Sequence, residues 1–308
     1  MKNLRLALLP VIVALISWSS LSLAGDSDKT HKPFVHAGYE QGSIESVVTK
    51  VKGKLTQAGF EIAGTYSPYP GAQIIVVSNN EIKSNAAKSD LGAFGAGLRV
   101  SLTKEGEKIQ VTYTNPIYQA HAYRMKGDMA GVRTSLEKTL GFTVEYGPED
   151  GLTGKDLRDY QYKWLMPYFD DTLDLVEYGS QKEALDKINA IFKQKQTGVT
   201  KVYEISLPGK EETVIGVAMS GANGNDCSGD QYIMSRIDFK TLKSTGHLPY
   251  EIVISGGKVY ALPAEFRIAI SFPDLSMMGS NSFASIMCAP DTIKAALAAA
   301  VGGSIEED

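Results

Sequence analysis

The sequence predicts an α+β fold made of two tandem sheet-and-helix repeats that form an internal pseudo-dimer, with an aromatic linker helix between them. Three observations predict it. A helical period opens each half, alternating apolar strands with glycine turns follow, and the order of segments in residues 39–141 returns in residues 178–302. Residues 142–177 are then a linker, 25–38 a flexible N-terminal segment and 303–308 a tail. At 43% hydrophobic residues, a chain of this length can bury a full core.

Residues 1–24 read as a signal peptide. Lys2 and Arg5 precede the apolar run Leu6–Ile16, which is too short for a hydrocarbon core needing about 20 residues. Ser22-Leu23-Ala24 supplies a small-x-small cleavage site before Gly25. The expectation is a periplasmic or secreted protein with no stable membrane span in its mature form. Losing Lys2 and Arg5 takes the formal charge from −4 to −6, a balance that argues against nucleic acid as a partner.

In the first half, Ile44, Val47, Val48, Val51 and Leu55 fall at helical spacing, with Ser43 as N-cap and Gly59 as stop. Phe60-Glu61-Ile62 is a short strand. The turn-rich Ser67-Pro68-Tyr69-Pro70-Gly71 leads into Ile74–Val77, a continuous apolar run of the buried-strand type. Leu98, Val100 and Leu102 alternate, as do Ile109, Val111 and Tyr113, so Lys104–Glu107 is a hairpin turn. Asn115-Pro116 ends the hairpin, and a helix through Met129, Val132, Leu136 and Leu140 stops at Gly141.

In the second half, Ser180 and Glu183 make a capping-box pattern for a helix through Leu185, Ile188, Ile191 and Phe192. Val202–Ile205 and Val214–Val217 are its paired strands. Tyr250–Ile254 turns at Gly256-Gly257 into Val259-Tyr260, Phe266–Phe272 is a further strand ending at Pro273, and a last helix holds Ile293, Leu297 and Val301. Between the halves, Asp156–Tyr168 predicts an aromatic helix broken near Pro167. It is either a linker packed across the halves or, through Tyr160, Tyr162, Trp164 and Tyr168, an aromatic wall facing a ligand.

The stretch His247-Leu248-Pro249-Tyr250–Ile254, with its hairpin glycines and the segment into Phe272-Pro273, resembles the domain-of-unknown-function 302 family. The first half is similar to it through Gly59-Phe60, Leu98–Leu102, Gln110–Thr114 and Asn115-Pro116, and departs from it at Ala96-Gly97, where the second half has Leu248-Pro249. The resemblance implies an antiparallel sheet covered by helices on one face, in units that associate as pairs. It implies no catalytic motif.

Chemistry is sparse along the chain. There is no G-x-S-x-G elbow, and the Gly221–Asp226 loop lacks phosphate-loop spacing and its lysine. Cys227 and Cys288 would meet an oxidising compartment, which makes a disulfide the expectation. The competing arrangement is a soft copper site from Met277, Met278, Met287 and Cys288 with His247, since thioether, thiolate and imidazole suit Cu(I). The two exclude one another, because a bonded Cys288 supplies no thiolate.

The expected function is therefore a soluble periplasmic binding or accessory protein for an unknown small ligand or periplasmic protein, non-catalytic and without a cofactor. The alternatives are a redox or copper-handling protein using Cys288 and Cys227, and a structural assembly component. A binding role requires a pocket between the repeats, a redox role a reactive thiol or bound metal, and a structural role an extended apolar surface.

Overall fold

The computed structural model describes residues 29–194, 198–221 and 227–304. The leader region 1–24, the Ala222–Asp226 part of the polar loop and the last four residues of the expected tail lie outside the described residues. In the first half the chain runs through β1 (Thr30–His31), β2 (Phe34–Gln41), α1 (Ile44–Gln57), β3 (Glu61–Tyr66), β4 (Ala72–Ser78), α2 (Asn80–Lys88), β5 (Leu98–Glu105), β6 (Lys108–Thr114), α3 (Pro116–Ala122) and α4 (Ala130–Leu140). Three strands and two helices follow: β7 (Val144–Tyr146), β8 (Leu152–Thr153), α5 (Gly154–Arg158), β9 (Leu173–Glu177) and α6 (Gln181–Gln194). The rest comprises β10 (Val199–Ser206), β11 (Glu212–Met219), α7 (Asp230–Ile237), β12 (Tyr250–Ser255), β13 (Lys258–Ala261), α8 (Ala264–Ser271) and α9 (Ala289–Ala300).

These strands make two main antiparallel sheets, ordered β3-β4-β5-β6-β2-β7 and β10-β11-β12-β13-β9. The short β1–β8 pair ties the start of the described chain to the segment between the halves. Local signals set the elements. Ser43 caps α1, accepting the Ser46 N–H at 3.2 Å, and Val47, Val51 and Leu55 form its buried stripe. At α6, Ser180 Oγ accepts the Glu183 N–H at 3.2 Å while the Glu183 carboxylate accepts the Gly179 N–H at 3.1 Å. Both hairpins turn through a left-handed glycine, Gly106 at φ +61° and Gly256 at φ +56°, where a side chain would be strained.

Helices α1 and α4 pack together over one face of the first sheet, and α6 and α9 over one face of the second. The opposite faces are covered reciprocally. The 3-10 turn Gly92–Gly95 before β5 packs on β11 and β12, and the 3-10 turn Thr245–His247 before β12 packs on β4, β5 and β6. The edge strands β3 and β10 also meet, so closely that a Cβ on Gly64 would lie 2.3 Å from the Val202 carbonyl oxygen. Burial on both faces explains the continuous apolar run Ile74–Val77 in β4. It also explains why Arg99, Ser101, Gln110, Thr112 and Glu251 are buried although they are polar.

Several expectations change. The helix over Asp156–Tyr168 is only the five-residue α5, capped where Thr153 Oγ1 accepts the Asp156 N–H, and the aromatic residues after Arg158 run irregularly. Phe266–Phe272 is mostly helical, within α8, because a short apolar run has no period to tell strand from helix; seven of the eight α8 residues are buried. Each sheet also contains a strand upstream of its expected boundary: β2 begins at Phe34, inside 25–38, and β9 lies inside 142–177.

Cys227 and Cys288 are joined, with Cα atoms 5.9 Å apart, and the bond ties the segment before α7 to the start of α9. The sequence separation of 61 residues makes the closed loop long, so the link restricts the unfolded chain substantially. Cys227→Ser and Cys288→Ser are each expected to cost about 2–4 kcal/mol, with the double variant no worse than either single. Urea titration of the three proteins checks this; additive losses would show that the sulfurs act separately.

Candidate functional site between the first sheet and helix α7

A cleft of about 350 Å³ opens where the first half meets α7 of the second. One wall is the β3–β4 turn. Ser67 Oγ donates to the Ala72 carbonyl at 2.8 Å and the Ala72 N–H to the Tyr69 carbonyl at 3.1 Å, which fixes the turn and presents Tyr69 and Pro70. Thr103, Lys104 and Glu105 at the end of β5 continue this wall. The facing wall is α7, through Gln231, Met234 and Ser235, closed by Asp238 and Lys243.

The segment after α7 is pinned by the other half of the molecule. The Lys243 N–H donates to Gln110 Oε1 at 3.0 Å, and the Lys243 carbonyl accepts from Gln110 Nε2 at 2.9 Å and from the Tyr146 hydroxyl at 2.6 Å. Thr245 Oγ1 lies 2.8 Å from both the Tyr69 hydroxyl and Thr103 Oγ1. The walls are therefore held at a fixed spacing by side chains from β5, β6 and β7.

Besides Glu105, two carboxyls, Asp238 and Asp230, sit at or under this cleft. Asp238 accepts the Ser244 N–H with both oxygens, at 2.9 and 3.0 Å, but burial outweighs those bonds and pushes its carboxyl up to about 7. Asp230, the first residue of α7, is buried more completely; burial pushes it up to about 8 against the opposing effect of the Met219 N–H bonded to Oδ2 at 3.2 Å. Among the described residues, its Oδ1 and the nearby Tyr66 hydroxyl have no hydrogen-bond partner of good geometry. A protonated Asp230 can donate to Tyr66, and the raised value means that it holds its proton at neutral pH. The cleft thus offers carboxyls, the exposed Lys104 and one aromatic side chain, Tyr69, with the Lys243 ammonium held on the Asp238 and Lys240 carbonyls, a mixture suited to a small polar ligand.

The residues singled out from the sequence are placed differently. Tyr160 is buried, its hydroxyl donating to the Ala269 carbonyl at 3.1 Å, and Tyr162 donates to the Leu275 carbonyl and packs on Phe283. Tyr168 is partly exposed and donates to Gln161 Oε1, while Trp164 is 84% exposed. These four side chains line no common cavity among those described. Met277, Met278 and Met287 are exposed, and Cys288 is bonded to Cys227. His247 is enclosed, with Nδ1 2.9 Å from Ser271 Oγ and Nε2 3.2 Å from the Tyr250 hydroxyl, so its ring nitrogens face those hydroxyls.

The cleft residues gave a weak signal in the sequence. Tyr69 lay in a segment recognisable only as a turn, and Asp230 and Asp238 sit at the two ends of α7, whose helical spacing of Ile233, Met234 and Ile237 marks a buried face and says nothing of the acids. Buried acids are visible only once the surroundings are. Comparison with family models, curated proteins and solved structures found no match to this chain.

Proposed function

We propose that this chain is an exported, non-catalytic binding protein, built from two copies of one unit of the domain-of-unknown-function 302 kind, that holds a small polar ligand in the cleft between them. The duplication is supported by order and by irregularity together. Each half runs β-α-β-β-α-β-β-α-α, from β2 to α4 and from β9 to α9 apart from β7, β8 and α5 between them, and the core of the first sheet has the strand order of the second.

Bulges fall at matching places, in β3 between Ile62 and Gly64 and in β10 between Lys201 and Tyr203, and again where β2 pairs β6 and β9 pairs β13. Arg99 and Glu251 are each the second residue of their strand, paired to Val76 and Gly216, the fifth residues of β4 and β11. Two such units packed by reciprocal turns have the arrangement of an isologous pair.

The binding function is carried by the cleft itself. It takes walls from both halves, has the volume of a small-molecule site, and contains a carboxyl that titrates near neutrality. Native mass spectrometry of the protein, and melting in a panel of small amines, sugars and amino acids, tests it. Ser235 is an exposed residue on the α7 wall, so Ser235→Trp fills the cleft without entering the core. Wild-type protein is expected to carry a bound mass or be stabilised by at least one compound, with the response reduced at least tenfold in Ser235→Trp. No ligand from either experiment, or an undiminished response in the variant, would sink the assignment to this cleft.

A further inference from the structure

A second cavity, of about 30 Å³, lies beside the strands that carry Arg99 and Glu251 and is lined by Arg99, Thr114, Gln119, Tyr123, Arg267 and Ser271 among others. Its charges do not balance. Arg99 and Arg267 both pair with Glu251: Arg99 Nη2 with Oε1, and Arg267 Nε with Oε2 at 3.3 Å. All three are buried, at 1%, 4% and 3% exposure. His247 contributes no charge, since burial and then the Arg267 and Arg99 guanidiniums hold its imidazole well below the usual histidine range. Two guanidiniums therefore share one carboxylate, and an uncompensated buried charge is strongly unfavourable.

The donors are also in excess. Arg267 is the better supplied: Nη1 donates to the Tyr123 hydroxyl at 2.6 Å and Nη2 to the carbonyls of His247 and Pro249 at 2.7 and 3.1 Å, while its Nε faces Glu251 Oε2 as an ion pair and neither atom has a hydrogen-bond partner among the described residues. Arg99 is supplied less well. Its Nη1 reaches Gln119 Oε1 only at 3.4 Å and Nη2 the Pro249 carbonyl at 3.5 Å, and its Nε has no hydrogen-bond partner among the described residues. Burial, and then the neighbouring Arg267 charge, act against the protonated Arg99, opposed in part by the surrounding Tyr203, Tyr123 and Tyr66.

We propose that this cavity binds one small inorganic anion of the halide class, chloride being the ion it takes, as the fourth member of the Arg99–Glu251–Arg267 cluster. The volume decides the class. A water needs roughly 10–15 Å³ by the same measure, so the cavity admits a single-atom ion but not a phosphate or a substrate carboxylate with its carbon skeleton. A neutral water satisfies a donor but leaves the charge uncompensated.

Bromide, soaked into crystals of the full-length mature protein, is expected to give an anomalous peak in this cavity, within bonding distance of Arg99 or Arg267. Raising chloride from about 1 to about 300 mM, at constant ionic strength against methanesulfonate, is expected to raise Tm by about 4 °C and to saturate. Gln119→Glu places a carboxylate beside Arg99 and is expected to abolish that rise. A cavity without bromide, melting curves that superpose in the two salts, or an unchanged chloride response in Gln119→Glu would each overturn the proposal. If Gln119→Glu does not fold, the bromide map and the wild-type salt comparison decide.

Discussion

Replacing Glu251 by alanine is expected to cost about 3–5 kcal/mol, because it strands two buried guanidiniums between the sheets. Glu251 is 3% exposed and lies on β12 with Arg99 on one side and Arg267 on the other; the Tyr203 hydroxyl also donates to its Oε1 at 3.3 Å. The loss is one of uncompensated charge more than of contact. Replacing Arg99, Glu251 and Arg267 together with Met, Met and Leu should recover much of it, since an apolar set of similar volume avoids the desolvation of all three ions. Urea unfolding of the single and triple variants separates the cases. A single-variant cost below about 1 kcal/mol would mean that the guanidiniums find other partners, and the cluster would not be the electrostatic link between the halves.

Stability is expected to fall as pH rises from about 4 to about 8, and Asp230→Asn is expected to remove much of that slope. The folded Asp230 carboxyl is raised to about 8, whereas the unfolded carboxyl titrates near about 4. Below the lower value both states hold the proton, and the buried acid costs nothing in charge. Between the two values the unfolded chain has lost its proton while the fold still holds it, so folding becomes progressively less favourable. Above about 8 the loss is complete, on the order of 5 kcal/mol for a shift of this size.

Asp238, raised to about 7, acts in the same direction over a narrower window. Asparagine keeps the shape, accepts the Met219 N–H and can donate to Tyr66. The variant should therefore be less pH-sensitive, and more stable than wild type at pH 8.5. Urea titrations at pH 5 and pH 8.5 check this; parallel profiles for the two proteins would refute the assignment of the slope to Asp230.

The elements legible in the sequence were those whose pattern survives local reading. The hairpin β5–β6 alternates along its length, α1 and α6 carry both a stripe and a cap, and the two cysteines had few alternatives. Elements built on exceptions were hidden. In β2 a bulge between His36 and Gly38 breaks the alternation, and β9 exposes or half-buries four of its five residues. α8 is buried almost all round, so it has no polar face to reveal a helical period.

The cleft was hidden for a different reason. Tyr69 and Thr245 are separated by 176 residues along the chain, and only the packing of one half on the other brings them together. Until that packing is known, Asp238 is one acid among many.

Gly64 and Tyr203 follow equivalent bulges, and each is the other's neighbour: a Cβ on Gly64 would lie 2.8 Å from the Tyr203 Cβ. Arg99 and Glu251 likewise occupy matching positions and meet. A symmetric pair of separate chains cannot do this, since whatever residue it places beside the axis it must place there twice, tyrosine against tyrosine or arginine against arginine. Joining the units in one chain lifts that restriction. Small can then face large, and cation can face anion, at a place where two identical subunits would be forced to repel or collide. On the tandem reading, these two contacts are what a covalent link makes possible: an axis whose two sides have diverged into a matched pair.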